Sequence, residues 1–234
     1  MKIVSFGDVH MAIQPMAQIA TELATADLIV LSGDLTNFGG AVEARQVVEA
    51  ARTYCPTVLA LPGNLDRPEV LDFLRTEHIG LHGESRRFGD LGFFGCGGSN
   101  TTPFQTPLEY QDEELGATIE HAYATVLDAP VRVMVCHTPP YGTKVDRLTD
   151  GRPVGSPAVR QFILEQQPHV CITGHIHESA GVDRIGRTTI LNAGPFAAGG
   201  YIVVRYEKGR VDAELKFVSS ERSRLSTRSR KHNQ

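Results

Sequence analysis

Apolar runs too short for helices alternate with segments of helical spacing along the first half of the chain. The run KIVSF at 2–6 stops at Gly7-Asp8, and DLIVLSG at 27–33 stops at a second Gly-Asp. A third run, TVLALPGN at 57–64, ends on Gly63-Asn64. Between them, residues 15–26 place Met16, Ile19, Ala20 and Leu23 on one face of a helix, and residues 40–54 read as a second helix. A shorter helix is expected from Pro68. Continuous apolar strands joined by helices indicate strands covered on both faces, hence a layered α/β domain.

The second half keeps this logic. Residues 87–98 read as a hairpin turning at Gly89-Asp90, and 112–127 as a helix with acids in its first turn. VRVMVCH at 131–137 is a strand that ends in His137. Residues 156–168 form a helix with Ser156 as its cap and Pro157 at its first position. VCITGHIH at 170–177 is one more strand, and strands alternate with turns from there to about Val218. No internal repeat or linker divides residues 1–218, which are read as one domain.

The chain has 234 residues, 41% hydrophobic and 21% charged, as a soluble α/β domain requires. Its net charge of -4 carries no global nucleic-acid signal. The charge is uneven, because residues 219–234 hold Arg222, Arg224, Arg228, Arg230 and Lys231 against Glu221 alone. That tail has little apolar surface to bury and reads as a disordered, solvated extension. Cys55, Cys96, Cys136 and Cys171 form no C-x-x-C pair, and buried thiols in a reducing compartment account for them. Without a leader pattern at the start or an apolar run of membrane length, the cytoplasm is the expected location, with no membrane partner.

Candidate chemistry sits where the strands stop. Gly7-Asp8-Val9-His10, Gly33-Asp34, Gly63-Asn64-Leu65-Asp66, His137 and Gly174-His175-Ile176-His177 all lie at or just past strand ends. In an α/β sheet, strand ends at one edge share a crevice, so residues distant in sequence converge there. Alone, a D-x-H or an H-x-H is more often a turn cap or a surface pair. Five motifs in this order supply two carboxylates, one amide oxygen and four imidazoles, a set suited to Mn, Fe, Zn, Ni or Co. Seven ligands exceed one such site; with one shared carboxylate they serve two divalent metal ions.

The pattern D-x-H, GD, GN-x-D, H, GH-x-H over residues 8–177 resembles the calcineurin-like metallophosphoesterases. GCGGSNTTPFQTPLEY (95–110), CHTPPYGTKVD (136–146) and GHIHESAGVDRIG (174–186) are similar to a subgroup of small stand-alone bacterial and archaeal phosphoesterases. The resemblance implies a four-layer αββα sandwich. It also implies one ion on Asp8, His10, Asp34 and His177 and another on Asp34, Asn64, His137 and His175, with Asp34 bridging. Two divalent ions with a bridging hydroxide, set against Asp8 and Asp34, leave a centre of about +1 that attracts phosphate and activates water for in-line attack. The implied activity is metal-dependent phosphoester hydrolysis, most simply of a phosphodiester, with manganese as one suitable metal. Asp34, Asn64 and His137 are the residues closest to its chemistry, and a phosphate-ester small molecule or a nucleotide is the partner.

One position departs from the pattern. The commonest family form has a His after the Asn ligand, held by the following Asp and assigned to the leaving group. Here Leu65 occupies that place and cannot move a proton. Asp66-Arg67-Pro68-Glu69 then reads as a helix start, with Asp66 as its cap. Competing readings are a phosphomonoesterase, a nuclease using the basic tail (not favoured by the acidic body) and a non-catalytic metal-binding scaffold. A scaffold has no reason to keep seven ligands. Ser99-Asn100, Tyr141, Lys144 and Arg147 are candidates to line the pocket. His78, His82, His121 and His169 read as surface or structural residues, and His232 lies in the tail.

Overall fold

A computed structural model describes residues 1–218; the basic extension expected at 219–234 lies outside the described residues. The chain runs β1 (Lys2–Phe6), α1 (Pro15–Gln18), α2 (Ala20–Ala24), β2 (Leu28–Ser32), α3 (Ala41–Arg52), β3 (Val58–Leu61) and α4 (Pro68–Thr76). It continues through β4 (Ser85–Phe88), β5 (Leu91–Cys96), β6 (Ser99–Asn100), β7 (Glu109–Tyr110), α5 (Asp112–Ala124), β8 (Val131–Cys136) and α6 (Pro157–Gln166). It closes with β9 (Val170–Thr173), β10 (Gly181–Ile185), β11 (Thr188–Asn192), β12 (Gly200–Glu207) and β13 (Arg210–Phe217).

Two sheets face one another. The first has the order β13-β12-β1-β2-β3 and the second β10-β11-β9-β8-β5-β4. In the first, β1, β2 and β3 are parallel; in the second, β11, β9, β8 and β5 are parallel and the edges antiparallel. Strand alternation divides the buried residues into three layers. Val4, Phe6, Ile29 and Leu31 face α1–α4 through Met16, Val47, Val48 and Phe73. Ile3, Leu28 and Val30 face Phe93, Val133, Val135 and Ile172 of the other sheet. Phe94, Met134 and Cys171 face α5 and α6 through Leu115, Ile119, Phe162 and Ile163. The result is the four-layer αββα sandwich.

The expected hairpin is β4–β5, and Ser156 Oγ caps α6 by accepting from the Val159 amide at 3.1 Å. Two expectations change. The helix at 15–26 breaks where Ile19 (φ -112°, ψ 21°) leaves helical geometry, giving two short helices that still bury Met16, Ile19 and Leu23. The strand at 170–177 ends at Thr173, because Gly174 donates to the His137 carbonyl at 3.0 Å and His175 turns to φ +69°. All four cysteines are buried thiols. Among the described residues, no helix is long and apolar enough to cross a membrane.

Candidate metal centre

Parallel pairing of β1, β2 and β3 brings three loops to one edge, where the loops after β8 and β9 meet them. The first two loops are zipped together: Asp8 donates its amide to the Gly33 carbonyl at 2.9 Å, His10 to Asp34 at 3.0 Å, and Met11 to Leu35 at 3.1 Å. Two glycines permit the close approach. A Cβ at Gly33 (φ +107°) would collide with the His137 ring, and one at Gly63 with the Asp34 carboxylate and amide. Asp8, His10, Asp34 and His175 hold φ of +48°, +46°, +47° and +69°. Non-glycine residues in that region are strained, and such strain gathers where a site over-determines the backbone.

All seven candidate ligands converge. His177 Nε2 lies 3.3 Å from Asp8 Oδ1 and 3.3 Å from His10 Nε2. His137 Nε2 is 3.5 Å from Asp34 Oδ2, 4.0 Å from Asp8 Oδ1 and 3.3 Å from Asn64 Oδ1. His175 Nδ1 is 2.8 Å from the same Asn64 oxygen. Asp8, His10 and His177 form one trio, and Asp8, Asp34 and His137 another, with ligand atoms within 4.8 Å of each other. Asp34 Oδ2 also reaches toward His10 Nε2, at 4.0 Å, so it lies between the two groups.

The charges call for a cation. Asp8 and Asp34 are almost wholly buried, and within 4 Å their only cationic partners among the described residues are imidazoles. Isolated carboxylates in such a place are costly unless paired with a cation or metal. Burial tends to raise Asp8, yet the His177 hydrogen bond and the charges of His137, His177 and His10 hold it below its ordinary value. Burial opposes a proton on His137, but the charge and hydrogen bond of Asp34, with Asp8 behind it, push that ring up to about 9. His137 Nδ1 meets the Ser32 carbonyl at 2.9 Å, which fixes Nδ1 as a donor and leaves Nε2 as the nitrogen that faces inward. Burial and the nearby His137 push His175 down to about 4, leaving a neutral donor ring. These oxygen and nitrogen donors fit a divalent cation.

Asp66 is not the cap of α4. The capping residue is Arg67, which makes no side-chain cap bond. Asp66 is fully buried and accepts from the amides of Leu35 (3.0 Å), Thr36 (2.8 Å) and Gly63 (2.8 Å) and from the Thr36 hydroxyl (2.7 Å). It therefore braces the Asp34 loop against the Asn64 loop. Burial and the Asp34 charge push it up to about 6, although every partner is a donor. Asp66→Ala would strand these donors at roughly 1–3 kcal/mol each. We expect denaturant unfolding to register a loss of at least ~3 kcal/mol; a variant within ~1 kcal/mol of wild type would refute the brace.

Other candidates sort differently. Asn100 accepts from the Thr138 hydroxyl at 2.8 Å and donates to the Val154 carbonyl at 3.2 Å, tying the loop after His137 to β6. Arg147 spends its guanidinium on the carbonyls of Thr143 and Gly151. Tyr141 and Lys144 are exposed, and among the described residues neither bonds a ligand residue. His82 accepts from the Gly97 amide at 3.0 Å, and burial pushes it down to about 4; His169 accepts from the Arg132 amide, while His78 and His121 are exposed. Residue patterns alone did not single out Thr106 and Glu109, which lie behind Asn64. Their T-x-x-E spacing was the available signal.

Comparison with known proteins places the fold and the family. Residues 1–206 match the calcineurin-like phosphoesterase superfamily domain. An uncharacterized protein of Methanocaldococcus jannaschii is 34% identical over 199 residues, covering 83% of this chain and 88% of that one. A solved structure from Thermus thermophilus is 15% identical with a TM-score of 0.69, over 93% of this chain and 99% of that one. Purple acid phosphatase from yellow lupin shares the fold at 12% identity and a TM-score of 0.63, over 94% of this chain and 52% of that one. A 5′-nucleotidase from Candida albicans does so at 12% identity and a TM-score of 0.52, over 97% of this chain and 53% of that one. The chain belongs to the calcineurin-like phosphoesterase superfamily, whose members are metal-dependent phosphoester hydrolases.

Proposed function

We propose that this protein hydrolyses a phosphodiester with two divalent ions held at the strand ends. Asp8, His10, Asp34 and His177 take one ion; Asp34, Asn64, His137 and His175 take the other. The observation that carries this reading is the meeting of seven donor residues, two of them buried carboxylates that lack Lys or Arg partners among the described residues. Bound there, such ions supply an activated water and neutralise phosphoryl oxygens.

The chain's own groups set the rest. Asp34 Oδ1 accepts from the Leu65 amide at 2.8 Å, so Oδ2 is the oxygen turned to both groups of imidazoles. Asn64 supplies an oxygen without charge and so preserves the positive balance that holds an anionic ester. Leu65 offers no proton, so the leaving group departs unassisted or takes its proton from solvent. Aryl esters and strained cyclic diesters leave in that way most readily. The lupin phosphatase and the Candida 5′-nucleotidase make a nucleotide or another phosphate ester a reasonable substrate class.

The test is hydrolysis of bis(4-nitrophenyl) phosphate and 4-nitrophenyl phosphate with added manganese, before and after chelation. Metal-dependent turnover faster on the diester is the expected result. Faster turnover of the monoester would make the protein a phosphomonoesterase. A metal-loaded protein inactive on both would make it a binding scaffold, the alternative that Leu65 raises.

A further inference from the structure

We infer that Glu109, acting through Thr106, sets the orientation of the Asn64 side-chain amide and so decides which of its two ends faces the metal centre. The inference rests on the proposed role of Asn64 as a ligand.

An asparagine amide has two ends of nearly equal shape and opposite chemistry. Only the oxygen can serve a cation. Asn64 Oδ1 points to His175 Nδ1 at 2.8 Å and His137 Nε2 at 3.3 Å, while Nδ2 points away, to Thr106 Oγ1 at 2.9 Å. A hydroxyl can donate or accept, so Thr106 alone would tolerate either orientation. Glu109 removes that freedom. Its Oε1 lies 2.6 Å from Thr106 Oγ1, so the single hydroxyl proton of Thr106 goes to the carboxylate. Toward Asn64, the Thr106 oxygen can then only accept, and only the NH₂ end of the amide can satisfy it.

Glu109 is committed to the accepting role. Besides that hydroxyl it receives the Thr106 amide at 2.7 Å, the Thr102 hydroxyl at 2.6 Å and the Thr102 amide at 3.1 Å. Four donors and no acceptor leave no place for a proton on it. Burial works to raise its pKa, but the Thr102 and Thr106 bonds outweigh it and push Glu109 down to about 2. The segment is anchored at its C-terminal end. Glu109 opens β7, which pairs with β6, and Leu108 donates its amide to the Asn64 carbonyl at 3.1 Å. Residues 106–109 therefore grip Asn64 by backbone and side chain together. Glu109 and Thr106 are positioning residues, since neither touches the centre.

The experiment measures manganese binding by calorimetry on the full chain, first stripped by chelation, for wild type, Thr106→Val, Thr106→Ser, Glu109→Gln and Asn64→Ala. Melting of each apo form checks folding. Partners behind a metal ligand typically change affinity about 10–100-fold. Thr106→Val, which keeps the shape but cannot accept, should weaken the ion that uses Asn64 by about 10-fold or more. Thr106→Ser, which keeps the hydroxyl, should restore wild-type affinity. Glu109→Gln should weaken binding too, by less than Thr106→Val. Wild-type affinity in Thr106→Val or in Glu109→Gln overturns the inference. So does a Thr106→Ser protein as weak as Thr106→Val, which would show a packing role. Unchanged binding in Asn64→Ala would instead remove Asn64 from the ligand set, and the inference with it.

Discussion

Asp34→Ala is expected to lose metal-dependent hydrolysis by more than about 10²-fold, because loss of even an outer partner of a metal ligand typically costs about 10–100-fold. Asp34 Oδ2 is the oxygen that faces His137 on one side and His10 on the other, at 3.5 and 4.0 Å. Asp66 cannot take over, since both of its oxygens are filled by donors of the surrounding loops. The same variant separates a metal defect from a folding defect. Ions that bind only the folded chain raise its melting temperature with concentration. Wild type should therefore gain thermal stability on adding manganese, and Asp34→Ala should gain little. Without metal, removing one of the three buried carboxylates at this edge relieves like-charge repulsion and offsets the stranded Leu65 amide, so the apo variant should melt at or near the wild-type temperature. An Asp34→Ala protein that keeps its manganese-induced stabilisation and its turnover would exclude Asp34 as the shared ligand.

Leu65→His is expected to act in the opposite direction, and only on difficult substrates. The backbone at 65 is held from both sides: the amide donates to Asp34 Oδ1 at 2.8 Å and the carbonyl accepts from the Phe38 amide at 3.1 Å. A substituted side chain therefore starts from a fixed position beside the Asp34 carboxylate. A general acid typically contributes about 10²–10⁴-fold. Here the gain should be nearer ~10-fold, below that range, because Asp66, which holds the His in the commoner family form, is already filled by the Gly63, Leu35 and Thr36 donors. A series of esters with leaving groups of rising basicity measures this. Wild-type rates should fall steeply along the series, and the variant's less steeply, with the two equal on 4-nitrophenolate. Identical slopes would mean that the leaving group needs no proton at this position.

Most of the architecture was legible without coordinates, for a physical reason. Strands covered on both faces must be apolar throughout, so 2–6, 27–33, 57–64 and 131–137 announce themselves, and the helices between them carry the apolar stripe that covers the sheet. Chain direction then places Asp8, Asp34, Asn64, His137, His175 and His177 at strand ends on one edge. Where a residue's partners are local, as at the Ser156 cap, reading the sequence suffices.

It fails where partners are remote. Asp66-x-x-Glu69 has the local form of a helix start, yet burying a carboxylate demands as many donors as can be found. Three of its four donors are the Leu35 amide and the Thr36 amide and hydroxyl, some 30 residues earlier in the chain. Glu109 and Thr106 are neighbours in sequence, but their bearing on Asn64 depends on a contact across 42 residues. Sequence alone determined the layers, the edge at which the ligand types gather and the missing proton donor at Leu65. Tertiary structure decided which oxygen of Asp34 faces the centre, which end of Asn64 does, and what Asp66 is for, because a buried polar group takes its orientation from whichever donors and acceptors the fold brings within about 3 Å.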